Sequence, residues 1–432
     1  VTRAWARLAA AVLVPLAAAL AAEGAARLRS GNAPTDTESA LLWVAGARPA
    51  FVCGPGGACR TDPELVRLSN PDVIFGARPS SGTFRVVCVG DSTTAGWPYQ
   101  PRGGYPEWLA PILTAALPGR RFEVLNLGIH AWDGKRLETV FDQALGFAPN
   151  ALVVRVGYDD YAHFLLRRPR GGAFAAAALK LRLPLLEHSA AFRMLARGIG
   201  PAPRLGIVAR ATTRLSDAEE KELVADHAER LRGFAARARA AGVPLVLLGL
   251  PHWDGFNPEF AGTRALALQA AETTRVAREL RLPFAPLSEL PSARFLDLMH
   301  VDAEGERLVA LDAAKTLAAA GLPEPASRWR WDRVPPRAAL EKRLGLDDPD
   351  YRAHLESRLA LYFESAGLDA RAAAHMTAAL TVAPNPDLIP EELRGQGNPG
   401  MAALYRKTFA ELRRKGRVPE PSNPINRAFA GL

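Results

Sequence analysis

Five apolar runs, each separated from the next by a helical repeat, constrain this chain more than any other feature. They lie at Arg85 to Val89, Phe122 to Leu127, Ala151 to Val156, Val243 to Leu250 and Leu282 to Leu287. Between them, Pro106 to Leu117, Lys135 to Gly146, Ala218 to Ala241 and Thr263 to Leu280 carry apolar residues at the helical period, as does Ala303 to Ala320 after the last run. Strands that are apolar throughout, rather than alternating, are buried on both faces. Their alternation with helices predicts a parallel sheet covered on both sides, an α/β architecture. Residues 161–216, rich in Arg, Leu and Pro, break the rhythm and read as a helical insertion over the rim formed by the strand ends.

The flanks of this unit differ in character. Residues 1–29 hold the uncharged run Leu8 to Ala22 between Arg3, Arg7 and the later Arg27 and Arg29. That pattern reads as a signal sequence or a membrane anchor, the alternative being a buried alanine-rich helix. The run is short against the ~20 residues of a comfortable span. Either targeting reading predicts a chain that works in the cell envelope, facing the periplasm or exterior, or secreted if cleaved. Residues 30–82 are a loop-rich lead-in. There Cys53 and Cys59 bracket a Gly/Pro turn, and either close a small disulfide or stand as two thiols. Residues 337–415, beyond a Trp/Arg/Pro linker, are helical. Leu359, Ala360, Phe363, Gly367, Ala372, Met376, Ala379 and Pro384 fit one tetratricopeptide-like unit, or an unrelated helical hairpin. A single unit must pack on flanking helices, on the α/β domain, or on a protein partner. Residues 416–432 read as a loose tail. The net charge is +9, but the arginines lack the interleaved aromatics of a nucleic-acid surface, so no nucleic-acid partner is expected.

The chemistry gathers at the strand ends. The first run stops at Gly90-Asp91-Ser92, which puts a hydroxyl at the carboxyl edge of the sheet, where ligands bind. Asp297-Leu298-Met299-His300 precedes the last helix. Ser92 would be the nucleophile, His300 its base, and Asp297 the group that orients the imidazole. Taken alone, Gly-Asp-Ser is a common turn in which Asp91 caps a helix; the two motifs together at matching strand ends carry the argument. No metal or organic cofactor is called for.

In these blocks the chain resembles the SGNH/GDSL hydrolase superfamily over roughly residues 83 to 320. The apolar leader and helical tail resemble a bacterial envelope subgroup of it. The resemblance implies a flavodoxin-like three-layer α/β/α domain over 83–325 and an esterase acting through a seryl-acyl intermediate. An O-acyltransferase of the same chemistry and a catalytically impaired scaffold are the alternatives. The substrate would be a small, carbohydrate or lipid O-acyl ester. The resemblance also assigns the oxyanion donors: the amides of Ser92 and of Gly128 in Asn126-Leu127-Gly128. In Gly157-Tyr158-Asp159, however, Asp159 stands where the family has a donating asparagine. An ionised carboxylate cannot donate. Either Asp159 is protonated, or Tyr158 or His130 donates instead, or the site is slow.

Overall fold

The computed structural model describes residues 2–30, 39, 42, 43, 48–67, 70–167, 172–199, 214–255, 262–365 and 367–432. Helix α1 (Thr2–Ser30) is followed by three short strands, β1 (Phe51–Cys53), β2 (Ala58–Thr61) and β3 (Ile74–Gly76). Then come β4 (Thr83–Gly90), the one-turn helix α2 (Ser92–Ala95), α3 (Tyr105–Ala116), β5 (Arg121–Gly128), α4 (Gly134–Gly146) and β6 (Ala151–Arg155). A long crossover holds α5 (Gly172–His188), α6 (Ala190–Ile199) and α7 (Asp217–Ala240). The pattern resumes with β7 (Leu245–Leu248), α8 (Gly262–Glu279), β8 (Phe284–Ala285) and α9 (Ala303–Ala319). The C-terminal group includes α10 (Pro349–Ser365), α11 (Asp369–Val382), α12 (Pro399–Arg414) and α13 (Pro424–Ala430).

The main sheet runs β5-β4-β6-β7-β8, and every neighbouring pair is parallel. Successive residues of a strand point to opposite faces, so each apolar run feeds two cores. Val87, Val89, Leu127, Leu152 and Val154 meet Leu137, Phe141 and Phe234 of α4 and α7 on one side. Val86, Cys88, Val153, Val246 and Leu248 meet Trp108, Ile112, Val309 and Ala313 of α3 and α9 on the other. The expected α/β/α sandwich is therefore present. Its last two strands are shorter than their apolar runs. Pro244 precedes β7, and Pro283 and Pro286 flank β8, and proline has no N–H for the ladder.

Three expectations need correction. The lead-in is not merely loop: β1, β2 and β3 form an antiparallel sheet, and Cys53 and Cys59, directly opposed in it, are joined as a disulfide. Strands of three or four residues carry too little periodicity to be seen. Arg85 ties this sheet to the body. Its buried guanidinium donates to Gly76 O at 2.8 Å and Phe147 O at 2.6 Å, and pairs with Glu123 at 2.9 Å. The tail is not loose either. Its helix α13 is pinned by buried Asn426, whose amide donates to Asp387 Oδ1 at 2.9 Å. Finally, the described insertion helices α5 and α6 do not cover the strand-end rim, whereas the first residues of the insertion stay beside it, His163 lying 2.9 Å from Ala131 O. Residues 168–171 and 200–213 lie outside the described ones, but α5 and α6 pack toward α1, where Glu23 accepts from Ala190 N at 2.9 Å and Ala191 N at 3.1 Å.

Among the described residues no helix is long and apolar enough to cross a membrane. The C-terminal hairpin forms as expected between α10 and α11, and both of its faces are used within the chain. Met376 and Ala379 pack on Met401, Tyr405 and Phe409 of α12. Leu359, Phe363 and Ala372 pack with Trp97 and Leu296 of the α/β body.

Two glycines paired in register, Gly90 on β4 and Gly128 on β5, let α2 lie directly on the sheet. A Cβ on Gly128 would sit 2.1 Å from Ala95 N, and one on Gly90 2.1 Å from Thr94 Oγ1. Replacing Gly128 by Ala should therefore destabilise the fold by about 1–3 kcal/mol, the usual range for overpacking. Equilibrium urea unfolding measures this, and an unchanged midpoint would refute the tight seating.

Candidate active site

Asp91 follows β4 and caps α2, accepting from Thr93 N at 3.0 Å and Thr93 Oγ1 at 2.7 Å. The cap fixes Ser92 as the first residue of the helix. The opposing element is a loop closed by an antiparallel bridge between Phe295 and Val301 and by Leu296 N to His300 O at 2.8 Å. Trp253 N donates to Leu298 O at 2.8 Å, which fastens this loop beyond the end of β7. Within it, Asp297 Oδ1 accepts from Met299 N at 2.8 Å and His300 N at 2.7 Å, and Oδ2 faces His300 Nδ1 at 2.7 Å. The other imidazole nitrogen, Nε2, lies 2.7 Å from Ser92 Oγ. Sequence-distant Ser92, His300 and Asp297 thus form one continuous hydrogen-bonded line. Burial alone would raise the Asp297 carboxyl; the His300 imidazole and the N–H donors outweigh it and hold Asp297 below the usual range.

The oxyanion expectations fare less evenly. The Gly128 N–H is already spent on Asn126 Oδ1 at 3.0 Å, so it is not an open donor, and the glycine is explained by the seat of α2. Tyr158 is also excluded: its hydroxyl donates to Pro251 O at 2.6 Å while accepting from Arg155 at 2.9 Å. His130 stays neutral, because burial pulls its imidazole down to about 3, and its Nδ1 has no partner. One candidate escaped the sequence reading. Ala131 adopts the left-handed conformation at φ 55°, its carbonyl held by Arg136 at 2.6 Å. Its N–H meets no acceptor among the described residues. The conformation usually advertises itself as glycine; alanine in its place hid the signal.

Two more residues at the site come from the C-terminal helices. Tyr362 of α10 lies 4.8 Å from the Trp97 ring, which lies 4.8 Å from the His300 ring. Arg358 Nη1 donates to Pro98 O at 3.1 Å and Gln100 O at 2.7 Å, and Tyr351 donates to Tyr99 O. The loop behind the nucleophile is therefore held by α10. Together these elements bound a groove of about 930 Å³ that includes Asn70, Trp97, His130, His300, Arg358 and Tyr362. No periodicity in α10 distinguishes residues that meet another domain from ordinary core. Among the described residues no group of three metal-ligating side chains occurs.

Residues 88–308 match the sequence pattern of the GDSL-like lipase/acylhydrolase family. The chain belongs to that family. It is accordingly an ester-hydrolysing enzyme. No curated protein matches it. Among solved structures, this acylhydrolase is similar to an acetylxylan esterase from Geobacillus stearothermophilus, at 14% identity over 54% of this chain and 94% of that one, with a TM-score of 0.35. It is similar to TesA at 16% identity over 54% and 97%, with a TM-score of 0.34. A lipase/acylhydrolase from Enterococcus faecalis is 15% identical over 57% and 97%, with a TM-score of 0.36.

Asp159 follows β6 at the same sheet edge, and its Oδ2 is enclosed without a hydrogen-bond partner. Burial first, and then the charge of Asp91, push this carboxyl well above its ordinary range. The neutral form has an O–H to donate, and it persists to a higher pH than in a free aspartate. Turnover that uses this proton is present below the raised value and lost as pH rises through it. A kcat–pH profile should show that alkaline fall in the wild-type acylhydrolase and not in Asp159→Asn, which should be about tenfold faster at the alkaline end, within the range for one oxyanion donor. Identical profiles would remove Asp159 from the chemistry.

Proposed function

We propose that this acylhydrolase is a serine esterase of the cell envelope that cleaves O-acyl esters carried on carbohydrate. The observation that carries the chemistry is the unbroken line Ser92–His300–Asp297, with both contacts at 2.7 Å. Ser92 Oγ attacks the ester carbonyl carbon while its proton passes to His300 Nε2. Asp297 keeps Nδ1–H of the imidazole oriented and balances the imidazolium that forms. The oxyanion is met by the N–H groups of Ser92 and Ala131 and by the neutral Asp159 carboxyl. As the tetrahedral adduct collapses, the leaving alkoxide takes the proton from His300 and Ser92 remains acylated. Water then attacks the acyl carbon while giving its proton to His300, and as the second tetrahedral adduct collapses Ser92 Oγ leaves and takes that proton back, releasing the acid and the free enzyme.

The groove supports the carbohydrate reading. Amide and guanidinium groups in its lining, from Gln100, Arg358 and Asn398, suit sugar hydroxyls better than a long acyl chain. If a sugar hydroxyl replaces water in the second half-reaction, the same residues perform acyl transfer, so product analysis with a carbohydrate acceptor present separates the two activities. The intact line argues against a non-catalytic scaffold. Purified enzyme should hydrolyse a short aryl acetate, and Ser92→Ala or His300→Ala should abolish both turnover and labelling by a fluorophosphonate probe. Asp297→Asn should fold and lose about 10⁴ in kcat through the wrong tautomer. Equal turnover by Ser92→Ala and wild type would sink the assignment.

The location rests on two features: the uncharged run between basic residues near the N-terminus, and the Cys53–Cys59 disulfide, a bond that persists in oxidising compartments. A C-terminal alkaline phosphatase fusion, active only after export, should be active. An inactive fusion with the protein recovered in the cytoplasm would overturn the envelope reading.

A further inference from the structure

Residues 161–216 hold ten arginine or lysine residues against a single acidic one, Glu187. Their net charge of +9 equals that of the entire chain, so the remainder is neutral as a whole. The basic excess is therefore local. It coincides with a second anomaly. Of the fifteen large apolar side chains exposed among the described residues, nine lie on three helices: five on α1, and Leu181, Leu185, Met194 and Leu195 on α5 and α6. Leu13, Val14, Leu16 and Leu20 of α1 are 54% to 66% exposed, and Leu181 and Leu195 are 71% and 61% exposed.

These three helices are built as one unit. Glu23 of α1 supplies the carboxylate that caps α6, accepting from Ser189 Oγ at 2.8 Å and from Ala190 N and Ala191 N. Those bonds, with Arg27 at 2.7 Å, hold its pKa down to about 2. Buried Arg193 of α6 donates to Leu186 O at 2.8 Å and Glu187 O at 3.1 Å, which locks α5 against α6. Such an arrangement, apolar outward and fastened inward by polar bonds, has no account as core. Single exposed leucines need no explanation, but a cluster of this size marks an interaction surface.

We propose that α5 and α6, with α1 packed on them, form a membrane-facing platform whose occupant is a lipid surface carrying anionic headgroups. Charge complementarity argues for that occupant: exposed apolar side chains on helices that also carry Lys180, Arg182, Arg197, Arg27 and Arg29 are the pattern of helices that lie in the bilayer interface, and basic residues not spent inside the fold, as Arg193 is, gain from an anionic surface within a Debye length. A neutral protein face would leave the basic charge without a counterpart, and an acidic polar one would leave exposed Leu181, Leu185, Met194 and Leu195 without an apolar contact. None of the described insertion residues lines the active-site groove, so the platform is independent of the catalytic assignment.

Vesicle flotation of the full chain tests this. Vesicles of phosphatidylglycerol and phosphatidylcholine should carry the protein up the gradient, vesicles of phosphatidylcholine alone much less, and added salt should weaken the binding. The triple variant Leu181→Ser, Leu185→Ser, Leu195→Ser should lower partitioning on the anionic vesicles by about tenfold or more, while aryl-ester turnover in solution stays unchanged and reports that the protein is folded. If the triple variant is inactive, Leu181→Ser and Leu195→Ser are measured singly, each with a smaller loss expected. Unaltered flotation of the substituted protein would mean that α1 alone holds the membrane. Equal binding to neutral and anionic vesicles, or none to either, would equally overturn the proposal.

Discussion

The contact on which the catalytic arrangement depends is the seat of a one-turn helix on two positions of the sheet that carry no side chain. Gly90 and Gly128 stand opposite each other on β4 and β5, and their missing side chains are the space in which Thr94 and Ala95 rest. With α2 lowered onto the strands, Asp91 can turn back as its cap and Ser92 emerges at a fixed height above the sheet edge. Asn126 completes the seat. Its carbonyl oxygen takes the Gly128 N–H, and its amide donates to Glu107 Oε1 at 2.9 Å. The residues flanking the nucleophile are therefore there for steric and hydrogen-bonding reasons first, and the chemistry follows from where they leave the hydroxyl.

Around that seat the protein sorts its carboxyl groups by what surrounds them. Glu107 and Glu306 are buried and pushed up to about 8, and burial raises Asp91 and Asp159 as well. Asp297 is buried too, yet it remains charged, because backbone N–H groups and the imidazole converge on it. Groups of one chemical type with separated protonation states are what acid–base chemistry requires. Arg155, fully buried near Asp91 and Glu306, moderates both without neutralising either.

How much of this could be read in advance varied with the kind of signal. The parallel sheet was legible because each strand repeats one instruction, an apolar residue at nearly every position. Ser92, Asp297 and His300 were legible because unusual residue types stood at strand and helix boundaries. Gly128 was chosen correctly as special and wrongly as a donor: sequence shows that a side chain is absent, not which of its backbone atoms is spoken for. Ala131 does not stand out in the sequence because its left-handed backbone is a dihedral angle that its side chain does not announce. The small sheet was missed because its strands are shorter than any period, and Tyr362 and Arg358 because a helix turned toward another domain has the same apolar spacing as one turned toward its own hairpin.

The groove walls come from far apart in the chain. Asn70 is supplied before the nucleophile, and Arg358 and Tyr362 well after the base. Chains emerge and fold from the N-terminus, so the sheet, Ser92 and finally His300 all exist before the helix that braces Trp97 and the loop behind it. Completion of the groove therefore waits for α10, which follows His300 in the chain. An enzyme assembled in this order carries its own delay: ester groups met during synthesis or transport encounter an unfinished groove, and a product cut short before α10 keeps the three reacting residues while lacking the support that holds them to their task.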